Sequence, residues 1–158
     1  MIASLLGHTS TLAAAANVPA AELLDATREN VLRILQSKHV PRRALQAEDA
    51  VEDFIADLLA PHFKPIARQF FVGGHLGAKI DIDVGARVGV ELKLASSLTR
   101  ASEAYRLVGQ ALHYRKRYNS ELIIGVAGVS SELSEPMLGE LRELLSSLGI
   151  TVALLQAL

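Results

Sequence analysis

A chain of 158 residues, half of it hydrophobic and with a net charge of −1, is long enough for one domain with a real core, and its charge balance does not by itself advertise a nucleic-acid binder. The absence of cysteine excludes a disulfide framework, a thiolate nucleophile and cysteine-ligated zinc or iron–sulfur sites, and suits a reducing, cytoplasmic setting. The apolar start MIASLLGHTSTLAAAA lacks the basic lead of a secretion signal and is interrupted by His8, Thr9, Ser10 and Thr11 before it could span a bilayer, so neither export nor a membrane partner is expected.

The first forty residues read as helical. Asn17 with Pro19 two positions on has the form of a helix start, and Leu24, Thr27, Val31, Ile34 and Leu35 recur at helical spacing before Pro41 ends the pattern. TLAAAANVPAAELL has the outline of a helix-turn-helix but no basic residue to touch phosphate, so packing against the core or a sister subunit is the better reading. Residues 1–44 are taken as a helical extension and 45–158 as the main domain.

A helix is expected over Gln46 to His62, where Val51, Phe54, Ile55, Leu58 and Leu59 share a face, with Pro61 and Pro65 marking its end. Ile66 to Val72, Ala78 to Val84 and Val88 to Leu94 read as an antiparallel meander of strands, the first link carrying Gly73, Gly74, His75 and Gly77. His75, a lone loop histidine, is set aside. A helix over Ser102 to Tyr118 precedes ELIIGVAGV, Glu121 to Val129, whose near-continuous apolar run suits an interior strand. A last helix, with Ser134 as cap, Pro136 in its first turn and Gly149 past its end, leads into a final strand at ITVALL.

Charge is unevenly distributed. Between Arg87 and Tyr118 there are seven basic residues (Arg87, Lys93, Arg100, Arg106, Arg115, Lys116, Arg117) against Glu91 and Glu103, whereas Arg142 is the only basic residue after Tyr118.

The second and third strands carry acids and a lysine where strand preference disfavours them. If Gly85, Ala86 and Arg87 form the turn, Val84 faces Val88, Asp83 faces Gly89, Ile82 faces Val90, Asp81 faces Glu91, Ile80 faces Leu92 and Lys79 faces Lys93. Alternation then sets Ile80, Ile82, Val90 and Leu92 on one face and the charged groups on the other. Opposed carboxylates destabilise a strand pair unless positive charge sits between them. Lys93 supplies part of that charge, and Mg²⁺, a hard ion held by one or two carboxylates plus water and phosphate, would supply more. Asp83 points to the same face as Asp81 and is the other candidate ligand; the pairing favours Asp81.

A strand aspartate followed by Glu-x-Lys on the next strand, here Asp81 and then Glu91-Leu92-Lys93, resembles the PD-(D/E)XK nuclease superfamily. Gln110-Ala-Leu-His-Tyr114 on the following helix resembles the Gln-x-x-x-Tyr of its RecB-type members. Ile80 stands where the family's name has proline, a variable position. The resemblance implies an α/β, restriction-endonuclease-like fold: a mixed central sheet in the order α-βββ-α-β-α-β, with helices on both faces and N-terminal helices in front.

It further implies Mg²⁺-dependent phosphodiester hydrolysis, with Mn²⁺ as a substitute, 5′-phosphate products, and DNA as the substrate. Asp81, Glu91 and the Leu92 backbone carbonyl would be metal ligands, Lys93 would orient the attacking water, and Gln110 and Tyr114 would complete the catalytic set. Members often add a glutamate from the first core helix, for which Glu48 and Glu52 are the candidates. A helical wheel groups Gln110 and Tyr114 with Arg106, His113 and Arg117 as a polar stripe for a nucleic-acid backbone, opposite Leu107, Val108, Ala111 and Tyr118. A homo-oligomer, a dimer first, is expected from the extra N-terminal surface. The alternative is a non-catalytic nucleic-acid-binding or assembly module on the same fold.

Overall fold

A computed structural model describes residues 22–73, 77–128 and 135–157; the expected helix start at Asn17 and Pro19, the loop residue His75, the strand end at Val129 and the cap Ser134 lie outside the described residues. The described chain is α/β, with one five-stranded mixed sheet. Its strands are β1 (Ile66–Val72), β2 (Ala78–Val84), β3 (Val88–Leu94), β4 (Leu122–Ala127) and β5 (Thr151–Leu155), in that spatial order. β1, β2 and β3 pair antiparallel, as short turns permit, while β3, β4 and β5 pair parallel because a helix carries the chain back between them.

Four α-helices are described: α1 (Arg28–Leu35), α2 (Glu48–Leu59), α3 (Ala101–Tyr118) and α4 (Glu135–Ser147). Helix α1 starts later than the Leu24 periodicity suggests, because Thr27 caps it by accepting the Asn30 amide at 3.2 Å. A short 3-10 helix at Arg42–Gln46 takes the residues ahead of α2. Described residues ahead of position 45 are built into the core: Val31, Leu35 and Val40 are buried, and Val40 bridges Ala157 beside β5.

Two apolar cores sandwich the sheet. One joins α1 and α2 to Ile82, Val84, Val88, Val90, Leu92 and Leu94; the other joins α3 and α4 to Leu122, Ile124 and Val126. Alternation holds along β3 and β4; β4 feeds both cores, with Ile123 and Ala127 on one face and Leu122, Ile124 and Val126 on the other, whereas β3 sends Val88, Val90, Leu92 and Leu94 to the α1–α2 core and turns Gly89, Glu91 and Lys93 the other way.

It fails in β2. Ile82 packs with the α1–α2 core but Ile80 packs with the α3–α4 core, so the expected common face of Ile80, Ile82, Val90 and Leu92 is corrected. The same switch occurs in β1, where Ile66 and Phe70 join opposite cores. Its origin is Gln69, whose backbone is left-handed at φ 49°. The β1–β2 register runs from Ile66–Val84 to Arg68–Ile82, skips Gln69 and Asp81, and resumes at Phe70–Ile80. No residue is inserted, since the register is the same on either side of the skipped pair; both strands exchange faces there.

The β2–β3 turn forms at Gly85–Arg87, with Gly85 and Ala86 at φ 63° and 59°. The register beyond it is Val84–Val88, Asp83–Gly89 and Ile82–Val90, and the ladder stops there. Gly89 is needed for close approach: a Cβ would lie 2.6 Å from the Tyr118 ring and 2.7 Å from Ile80 Cδ1. Gly89→Ala should therefore cost about 3 kcal/mol, roughly 10 °C in a thermal melt. A variant melting with the wild type would contradict this packing of α3 on β3.

Candidate active site

The site forms where the β2–β3 ladder opens. Past Ile82–Val90 the Asp81 side chain takes over from the backbone: its Oδ2 accepts the Leu92 amide at 2.7 Å, while Glu91 Oε2 accepts the Asp81 amide at 3.3 Å. These reciprocal bonds draw both acids into the gap between the strands. Lys93 Nζ lies 3.6 Å from Glu91 Oε1 and 3.8 Å from Glu48 Oε2 on the first turn of α2. Asp81, Glu91, Lys93 and Glu48 thus come from three elements to one place.

Burial is the main electrostatic fact. It pushes the Asp81 carboxyl up to about 6, with the Glu52 charge adding to the rise and the Leu92 hydrogen bond opposing it. Burial, then the neighbouring Asp81, pushes Glu91 up to about 8 against the pull of Lys93.

The other residues singled out by the sequence fall into distinct settings. Asp83 faces α3, away from Asp81, where its carboxylate accepts the Tyr118 hydroxyl at 2.6 Å and the Ala86 amide at 2.9 Å. Glu52 is 4% exposed and is held by Arg68 Nε at 3.1 Å and Gln69 Nε2 at 2.9 Å. Glu48 accepts the Ser97 hydroxyl at 3.3 Å and opens onto the cleft.

On α3 the expected polar stripe needs one correction. Leu107, Ala111, Tyr114 and Tyr118 are the buried line, so Tyr114, 1% exposed, belongs with the core and has no surface for a nucleic acid. The spacing of four, three and four residues aligns it with the apolar positions. Its hydroxyl donates to the Lys79 carbonyl at 2.8 Å, bracing β2 two residues ahead of Asp81. Gln110 flanks that line, and its Oε1 is buried without a hydrogen-bond partner among the described residues.

Arg106 is exposed on the cleft wall. His113 lies 3.4 Å from the Val72 carbonyl, and Arg117 stacks over Phe70 and reaches toward Asp83 at 3.8 Å. Both sit at the β1 side of the helix, next to Gly73 and Lys116.

The cleft has a volume of about 510 Å³ and is lined by Glu48, Lys93, Ser96, Ser97, Thr99, Arg100, Glu103, Arg106 and Gln110. Its hydroxyls come from a 3-10 helix at Ala95–Thr99, which turns the chain from β3 into α3. Ser96, Ser97 and Thr99 were not anticipated, nor were Arg68 and Gln69. Short polar residues after a strand, and two polar residues within one, carry no signal of their own until a fold places them.

Among the described residues no three His, Cys, Asp or Glu side chains converge as a metal cage, and no described helix is long and apolar enough to cross a membrane. The two carboxylates nonetheless fit the partial shell that Mg²⁺ takes, the remaining positions going to water and substrate oxygen. The crowding of Asp81 and Glu91 in a buried gap is what a divalent cation would relieve. Compared with family models, with curated proteins and with solved structures, the chain matches none.

Proposed function

We propose that this protein is a metal-dependent nuclease of the PD-(D/E)XK type on a restriction-endonuclease-like fold, hydrolysing phosphodiester bonds of DNA in repair, recombination, restriction or phage defence. The observation that supports it best is the meeting of Asp81, Glu91 and Lys93 at the open end of the β2–β3 ladder, beside a polar cleft that carries Arg100 and Arg106. Asp81, Glu91 and the Leu92 carbonyl are the donors for Mg²⁺, or for Mn²⁺ in its place. When bound, the ion supplies Lewis acidity for the phosphoryl group and the attacking water.

The side chains have separable tasks. Lys93, 19% exposed and aimed at Glu91, orients the water and offsets charge building on the phosphoryl oxygens. Glu48 holds the lysine from its other side and the Ser97 hydroxyl with it. Gln110 presents a buried amide to the cleft, and Arg100 and Arg106 on the wall suit flanking phosphates. Tyr114 acts through β2, holding the strand that carries Asp81. The assembly proposed is a homodimer or a complex with a partner protein, and the setting proposed is cytoplasmic.

The test is incubation of plasmid and single-stranded DNA with the protein and Mg²⁺, with chelator and Lys93→Ala as controls. Cleavage that needs Mg²⁺ and falls a hundredfold or more, on the order of 10²–10³, in Lys93→Ala is expected. Binding without metal-dependent cutting would sink the nuclease and favour a non-catalytic nucleic-acid-binding module.

A further inference from the structure

Gln69 is the one described position within a strand where a residue other than glycine takes a left-handed backbone, at φ 49°. That conformation costs a long side chain about 1–2 kcal/mol, and it persists only where the surroundings hold it. The surroundings here are acids. Gln69 Nε2 donates to Glu52 Oε2 at 2.9 Å and to Asp81 Oδ1 at 3.1 Å, bridging α2 and β2. An extended residue would point to one face of the sheet; the left-handed turn sends the amide between the two carboxylates.

The backbone acts on the same atom set. The β1–β2 ladder skips Gln69 and Asp81, so Asp81 is released from strand pairing on that side, and its other carboxylate oxygen is free to take the Leu92 amide. Asp81 is therefore held from two directions, Oδ1 by Gln69 and Oδ2 by β3. Arg68, the residue before, binds Glu52 through Nε and Asp53 through Nη2, which anchors the helix side of the bridge.

We propose that Gln69 is a positioning residue for the metal-binding carboxylate: its bent backbone frees Asp81 from the ladder and its amide fixes Asp81 while holding Glu52 apart from it. The inference rests on the metal-dependent reading above. Gln69 touches neither metal nor substrate; it sets the direction in which Asp81 presents its oxygens. Partners of this kind, one step removed from the ion, change metal affinity when lost, typically by 10–100-fold.

The decisive variant is Gln69→Gly, which accepts the left-handed backbone without strain and removes the side chain that carries the amide. Mn²⁺ binding to the full chain would be followed by the loss of the free-ion electron paramagnetic resonance signal, with a thermal melt of each metal-free protein alongside. The expected result is Mn²⁺ affinity about tenfold weaker in Gln69→Gly, read at a temperature where its thermal melt shows it folded, while Asp81→Asn binds no Mn²⁺. Wild-type affinity in Gln69→Gly, with Asp81→Asn still defective, would overturn the positioning role alone. A wild-type protein that binds no Mn²⁺, or an Asp81→Asn variant that binds it normally, would overturn the metal reading and this inference with it.

Discussion

Glu91→Gln should abolish Mg²⁺-dependent cleavage and at the same time raise the melting temperature of the metal-free protein above pH 8. Both effects follow from one charge in one buried gap. An ordinary glutamate ionises near pH 4, as it does in the unfolded chain, whereas burial and Asp81 push Glu91 in the folded protein up to about 8. Asp81 is displaced in the same direction, to about 6. Between pH 4 and these values the folded chain holds more protons than the unfolded one, so the contribution of this pair to stability falls as the pH rises and levels off above about 8.

Replacing the carboxylate with a neutral amide of the same shape removes Glu91's share of that penalty, on the order of 3 kcal/mol at high pH. It also removes a ligand, so cleavage should drop by at least about a thousandfold. Melting curves from pH 5 to pH 9 decide the first point. Wild-type stability should decline across the range without metal and recover with Mg²⁺; the variant should show a shallower decline and little recovery. A variant less stable than the wild type at pH 9 would mean that the Glu91 charge is welcome where it sits.

Asp83→Ala should have the opposite profile, destabilising the fold by about 3 kcal/mol while leaving the Mg²⁺ response intact. Asp83 is 2% exposed and carries three partners: the Tyr118 hydroxyl at 2.6 Å, the Ala86 amide at 2.9 Å and Arg117 at 3.8 Å. Its loss strands a buried hydroxyl and a turn amide without an acceptor, and frees the end of α3 from β2. Melting should fall by roughly 10 °C, yet at a temperature where the variant is folded its Mg²⁺ dependence and cleavage rate should match the wild type. Loss of metal response in a folded Asp83→Ala protein would move the ligand from Asp81 to Asp83. The two aspartates, alike in the sequence, would then have exchanged their tasks.

The elements themselves were largely legible. Each strand from β1 to β5 falls within two residues of its expected span, because alternation in the hairpin and the apolar run of β4 are local signals that the sheet merely satisfies. The turn at Gly85 and the register through Ile82–Val90 followed from loop length alone. The α3 face was harder. A wheel of that helix has a boundary running close to Gln110 and Tyr114, and an amphipathic tyrosine fits either side of it; its spacing with Leu107, Ala111 and Tyr118 permits the inward side, and the Lys79 carbonyl, presented by a strand 35 residues earlier, gives its hydroxyl a partner there.

By itself, then, the sequence determined which residues could gather: acids and a lysine at neighbouring positions of paired strands, a polar turn after them, a basic helix beyond. The tertiary structure decided how they are aimed. Strand alternation assigns Asp81 and Asp83 to one face, and that rule is correct for an unbroken ladder. Here a single left-handed residue in β1, bonded to a glutamate from α2, breaks the ladder and sends the two aspartates to different surroundings. No local preference favours glutamine in that conformation; it is held by carboxylates brought together from distant parts of the chain, and only the folded whole contains them.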